Sequence, residues 1–144
     1  SLMDPSTATL RDGWNQQVKE FVDNWYREYN PLLKSDATPI RPERLCNDLT
    51  RLLPDDSFVV VDTGHAGMWM GGMFDVTSTS QNYVRSAGHL GWAFPAGLGA
   101  KCALPERPVV CFSADSVFLS PLWSLSTAFR CIIPSLSLFS HNRP

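Results

Sequence analysis

Three short polar clusters each follow a mostly apolar run. Asp62-Thr63-Gly64-His65 follows Phe58-Val59-Val60-Val61, Ser113-Ala114-Asp115-Ser116 follows Pro108-Val109-Val110-Cys111-Phe112, and Ser140-His141-Asn142 follows Ser135-Leu136-Ser137-Leu138-Phe139. Backbone N–H groups at glycine-containing turns suit phosphate oxygens, and a carboxylate with an amide oxygen suits a hard divalent cation such as Mg2+. If the runs are neighbouring parallel strands, the clusters converge, because an open α/β sheet binds ligands outside the carboxyl ends of its strands. The blander reading is polar turn residues that only cap strands and helices. His65 and His89 belong to a residue type that titrates near neutral pH. A histidine beside glycine in a loop is nevertheless more often a surface or hydrogen-bonding residue than an acid-base catalyst, and His141 is a weaker candidate still.

The elements that must position these clusters follow from periodicity. Trp14, Val18, Phe21, Val22, Trp25 and Tyr29 fall at spacings that line one side of a helix from about Arg11 to Tyr29, with Pro31 as its stop. Such an aromatic stripe must dock on the later domain or on something outside this chain. A second helix is expected from Pro42 to Leu53, with Leu45, Cys46, Leu49, Leu52 and Leu53 buried. Phe58 to Asp62 reads as a strand buried on both faces, Pro108 to Phe112 as another, and Asn82 to Arg85 and Ser135 to Phe139 as further strands. Gly91 to Ala103 reads as a helix whose small residues let its backbone approach a neighbour closely. A last helix fits Pro121 to Arg130, capped by Ser120. The order of helices and strands gives an α/β class, a three-layer domain around a central, mostly parallel sheet.

Composition sets the limits. At 144 residues the chain holds one sizeable core, since a domain of this size buries about two thirds of its unfolded surface. A formal charge of −2 supplies no field to recruit nucleic acid or anionic lipid. No apolar run reaches membrane-helix length, and Ser1 to Leu10 resembles no signal peptide, so a soluble, cytoplasmic protein is expected. Cys46, Cys102, Cys111 and Cys131 are scattered through apolar stretches, which fits core thiols in a reducing compartment. The histidines and cysteines match no zinc spacing.

Residues 57–112, above all Val60 to Trp69 and Tyr83 to Phe112, resemble the pyrophosphate-binding domain of thiamine-diphosphate-dependent enzymes, in the large-subunit-like branch of the acetolactate synthase family. The most specific stretch is Arg85-Ser86-Ala87-Gly88-His89-Leu90-Gly91-Trp92-Ala93-Phe94-Pro95-Ala96 followed by Gly99-Ala100-Lys101. The resemblance implies residues 1–38 as a linker with an amphipathic helix, and 39–144 as a thiamine-diphosphate-binding fold incomplete at its C-terminus. It also implies thiamine diphosphate and Mg2+ as cofactors. The family's Gly-Asp-Gly motif corresponds to Ala114-Asp115-Ser116 and its second metal ligand to Asn142, with the backbone carbonyl of Pro144 as third. Both flanking glycines are replaced, which is expected to weaken cofactor binding.

Residue by residue, the resemblance gives Thr63, Gly64 and His65 diphosphate contacts, while Ala66 stands where relatives place a histidine donor. Ser116 and Val117 follow the metal ligand on the cofactor side. Gly88 corresponds to the residue whose carbonyl receives the aminopyrimidine amino group, and Leu90 to the apolar residue that props the cofactor into its bent shape. Leu119-Ser120-Pro121, Ser124, Ser126 and Ile132 depart from the family pattern. The implied activity is 2-oxo acid decarboxylation or carboligation in an oligomer. A partner chain would supply the pyrimidine-binding domain, so that this chain alone is inactive. The alternative is a non-catalytic remnant or assembly domain that keeps the fold.

Overall fold

The computed structural model describes residues 5–114 and 136–140, together with Ser124 and Ser126, both helical. The elements run α1 (Pro5–Leu33), α2 (Pro42–Leu52), β1 (Phe58–Val61), α3 (His65–Met73), β2 (Asn82–Arg85), α4 (Ala93–Ala103), β3 (Val109–Ala114) and β4 (Leu136–Ser140). All strand pairs are parallel and the sheet order is β2-β1-β3-β4. Parallel neighbours need crossover connections, and α3 and α4 serve as two of them.

Alternation along β1 builds the layers. Val59 and Val61 face one way, into a cluster with Cys46, Leu49, Ala66, Met70, Phe74 and Phe112 that α2 and α3 cover. Val60 faces the other way, with Ala93, Val109 and Cys111 under α4. This three-layer arrangement agrees with the α/β expectation. At the amino ends of the strands Arg107 closes the sheet. Its Nε donates to the Asp56 carbonyl at 2.6 Å, and its Nη2 donates to the Ser80 carbonyl at 2.8 Å and to Asn82 Oδ1 at 2.9 Å. The opposite, carboxyl edge is left for the site.

Three expectations are corrected. Pro31 does not end α1; the helix continues to Leu33 with the proline in its last turn. Burial of Leu33, 3% exposed, and a bond of 3.1 Å from Asn47 Nδ2 to its carbonyl offset the ladder bond that Pro31 cannot make. Leu52 is 79% exposed rather than buried, since it lies on the side of α2 away from the sheet. Cys102 is exposed, while Cys46 and Cys111 are buried as expected. One element was not foreseen: α3, whose sequence HAGMWMGGM is apolar almost all round and shows no polar face. The expected helix over 121–130 lies largely outside the described residues, as does Cys131.

Helix α1 keeps much of its aromatic stripe in solvent, with Trp14 66% and Phe21 76% exposed. Trp25 stacks on Tyr29 with ring centroids 5.1 Å apart, and Tyr26 donates its hydroxyl to Asp75 Oδ2 at 3.1 Å. No described helix is long and apolar enough to cross a membrane.

Close approach of α4 to β3 depends on Gly97, because a Cβ there would collide with Cys111 Sγ. Gly97→Ala is expected to lower stability by about 1–3 kcal/mol, with part of the loss recovered when Cys111→Ala is added. Urea denaturation of the two single variants and the double variant measures the coupling, and additive losses would contradict the packing.

Candidate functional site

Strand order reverses at β1: the chain passes from β1 through α3 to β2 on one side, while β3 pairs on the other side and is followed outward by β4. Connections that leave adjacent strands in opposite directions open a crevice at their carboxyl ends. Between β1 and β3 that crevice is floored by Asp62, directly after β1, and Ser113, near the end of β3. By alternation Asp62 shares the α4 face with Val60, and Ser113 shares it with Cys111.

Asp62 is 1% exposed. A buried carboxylate is costly unless donors surround it, and among the described residues Asp62 has four. Its Oδ1 accepts the N–H of Thr63 at 2.9 Å and of Gly91 at 3.1 Å; its Oδ2 accepts the Ser113 hydroxyl at 3.1 Å and, at the long limit of 3.5 Å, the N–H of Ala93. Its own N–H continues the ladder to the Phe112 carbonyl at 3.0 Å.

Two segments above it carry the candidate residues. The first is the turn Thr63-Gly64-His65. Gly64 takes φ +77 as the residue before α3, a left-handed conformation that favours glycine, and its carbonyl accepts the first helical bond from Met68 at 3.1 Å. No side chain caps α3. Thr63 is half-buried, whereas Gly64 and His65 are exposed, with the imidazole stacked on Trp69 at 5.7 Å.

The second segment is the strap from Ser86 to Gly91. The buried Ser86 turns it, its hydroxyl bonding both the carbonyl and the N–H of His89 at 3.3 Å. Gly88 (φ +106) and Gly91 (φ +81) bend the strap. Gly88, His89 and Leu90 are exposed, Leu90 by 63%. The two segments adjoin: a Cβ on Gly64 would stand 3.9 Å from Leu90 Cδ2.

The structure thus gathers Thr63, Gly64, His65, Gly88 and Leu90 at the carboxyl edge of the sheet. Asp115, Ser116, Val117, Asn142 and Pro144 lie outside the described residues, so their positions rest on sequence alone. The last residues of β3 and β4, Ala114 and Ser140, are register partners. Asp115 directly follows the first and Asn142 comes two residues after the second. Among the described residues no cluster of histidine, cysteine and carboxylate side chains suits a metal ion.

The described residues fit a diphosphate with an apolar neighbour. The turn opens a helix at a glycine, no atom of the described residues beyond its chain neighbours lies within 4 Å of where a Gly88 Cβ would stand, and Leu90 offers an exposed apolar side chain beside the turn. Sequence reasoning noted Asp62 and Ser113 only as members of polar clusters. The available signal was a charge closing the apolar run Phe58–Val61, whose three valines are buried, which demands several donors from other segments.

Residues 62–143 match the family described as thiamine pyrophosphate enzyme, C-terminal TPP binding domain. The chain belongs to this family. Its relatives include a probable acetolactate synthase large subunit of Methanococcus aeolicus, 29% identical over 92% of this chain and 24% of that protein. A sulfoacetaldehyde acetyltransferase of Alcaligenes xylosoxydans xylosoxydans is 26% identical over 94% of this chain and 24% of its own length. Acetolactate synthase isozyme 3 large subunit of Escherichia coli (strain K12) is 29% identical over 93% of this chain and 23% of that protein. The chain therefore spans about a quarter of the length of the curated relatives it matches.

Within this thiamine pyrophosphate enzyme domain Cys111 is a buried ionisable group two residues before Ser113, on the same face of β3. Burial, and secondarily the Asp62 charge, pushes the Cys111 thiol from 9.0 up to about 11. The folded state holds this proton more tightly than the unfolded state, so the thiol's contribution to stability is complete below pH 9.0 and is lost as pH rises toward about 11. Urea denaturation across that range should show stability falling by up to about 2–3 kcal/mol from this group. The fall should be shallower in Cys111→Ala, and an equal slope in both chains would contradict the assignment.

Proposed function

We propose that this chain is a fragment or subunit of a thiamine-diphosphate- and Mg2+-dependent 2-oxo acid decarboxylase or carboligase of the acetolactate synthase type. The observation that carries the reading is the adjacency of Thr63-Gly64-His65 and Gly88-Leu90 at the strand ends of a domain whose residues 62–143 match the family. The similarity to acetolactate synthase large subunits supports this reading.

In this reading the turn Thr63-Gly64-His65 binds the diphosphate, with the Thr63 N–H held by Asp62 and Ser116 and Val117 alongside. Asp115, Asn142 and the Pro144 carbonyl hold Mg2+, and the register pairing of Ala114 with Ser140 supports their convergence. The Gly88 carbonyl orients the aminopyrimidine, and Leu90 supports the bent cofactor from below. When bound, thiamine diphosphate supplies the nucleophilic carbon and the electron sink for 2-oxo acid cleavage. The chain's own residues bind and orient. A pyrimidine-binding domain on a partner chain, in a homo-oligomer or a mixed assembly, completes the site, so the chain alone is inactive. The exposed aromatic stripe of α1 favours such assembly and equally suits the second reading, a non-catalytic assembly domain without cofactor.

Calorimetric titration with thiamine diphosphate separates the two. The expected result is binding that requires Mg2+ and weakens about tenfold or more in Asp115→Ala, the loss of one charged ligand. Heat equal to buffer dilution, with and without metal, would overturn the enzymatic reading and leave the assembly domain.

A further inference from the structure

Asp62 is a buried carboxylate that accepts from donors on the turn, the strap, the start of α4 and β3. We propose that Asp62 is a positioning residue for the cofactor: by accepting from both segments at once, it sets the spacing between the diphosphate turn and the Gly88–Leu90 strap. The inference rests on the thiamine diphosphate reading above.

The division of labour between its oxygens carries the argument. Oδ1 takes one N–H from each segment, Thr63 at 2.9 Å and Gly91 at 3.1 Å, so one atom fixes the two backbones relative to each other. Oδ2 is anchored on β3 by the Ser113 hydroxyl at 3.1 Å, which holds the carboxylate to the sheet. Little else restrains the strap. Its entrance is tied to β1 by the Ser86 N–H, which meets the Val61 carbonyl at 3.4 Å, the Ser86 hydroxyl bonds His89 within the strap itself, and Ala87 to Leu90 are exposed among the described residues. Among the described residues, the Leu90 methyl approaches Gly64, 3.9 Å from where a Cβ would stand. Two cofactor-facing segments joined chiefly through one buried oxygen are a device for preorganising a site.

Side-chain chemistry then ranks the replacements. Asparagine keeps one carbonyl oxygen for Thr63 and Gly91. It turns its amide toward Ser113, whose hydroxyl can accept as readily as donate, and it gives up only the long Ala93 contact. Glutamate carries an extra methylene into a pocket where Asp62 is 1% exposed, and alanine removes both oxygens.

The test uses the full chain as wild type, Asp62→Asn, Asp62→Glu and Asp62→Ala. Amide hydrogen exchange is followed over residues 86–92 and 63–68, and Mg2+–thiamine diphosphate is titrated calorimetrically. In Asp62→Ala the strap should exchange about tenfold or more faster and the cofactor Kd should rise by a similar factor, while α2 keeps its protection. Asp62→Asn should stay within about threefold of wild type on both readouts. Strap exchange unchanged in Asp62→Ala overturns the clamp. Should that variant fail to fold, the remaining pair decides: asparagine near wild type with glutamate weakened supports the clamp, and asparagine as damaging as glutamate overturns it. Wild-type binding that Asp62→Ala leaves untouched overturns the positioning role alone. A wild type that binds no cofactor, with the strap still loosened in Asp62→Ala, overturns the cofactor reading together with the role built on it.

Discussion

A carboxylate withdrawn from water must collect hydrogen-bond donors, and in this domain the donors of Asp62 come from three parts of the chain. Thr63 begins the turn into α3, Gly91 and Ala93 end the strap and open α4, and Ser113 belongs to β3. That single requirement brings the turn, the strap and the central strands to one place at the carboxyl edge of the sheet. The edge is a crevice because the strand order reverses between β1 and β3. The opposite edge is closed by Arg107, which ties the amino ends of the sheet together through carbonyls and Asn82. One end is therefore committed to stability and the other is free for a ligand.

The parts of the fold that were legible in the sequence are those where physics leaves a local pattern. Bounded apolar runs marked the two central strands, β1 and β3, because strands buried between two helical layers need β-branched and aromatic residues on both faces. Small residues between Gly91 and Ala103 announced a close approach, which Gly97 makes against Cys111. The parts that were not legible depend on partners distant in sequence. Helix α3 is apolar on nearly every side and gives no amphipathic signal, since it packs beneath α2 while its first turn faces the crevice. Pro31 stays helical because Leu33 finds a buried seat and Asn47 accepts responsibility for its carbonyl by donating to it. The role of Asp62 was hidden for the same reason, as its donors lie as far along the chain as Ser113.

Family membership and local geometry contribute different things. The match over residues 62–143 says which cofactor chemistry this domain type serves, and the structure places the turn and the strap together at the carboxyl edge of the sheet. The offered surface has glycine backbone at Gly64 and Gly88 and an exposed Leu90, with no lysine or arginine in the turn. On the proposed reading, a diphosphate here is held by backbone dipoles and a metal rather than by cationic side chains, in keeping with the low net charge of the chain. The chain matches about a quarter of the length of its curated relatives, and the exposed aromatic side of α1 is the surface on which further protein would sit in the same reading.

The central claim is that the turn and the strap together face the cofactor. Amide chemical-shift mapping of the labelled chain during titration with Mg2+–thiamine diphosphate tests it most directly. The account predicts that the largest shifts fall on Thr63, Gly64, His65, Gly88 and Leu90, with the amides of α1 unmoved. Shifts centred on α1, or absent from both the turn and the strap at saturation, would contradict it.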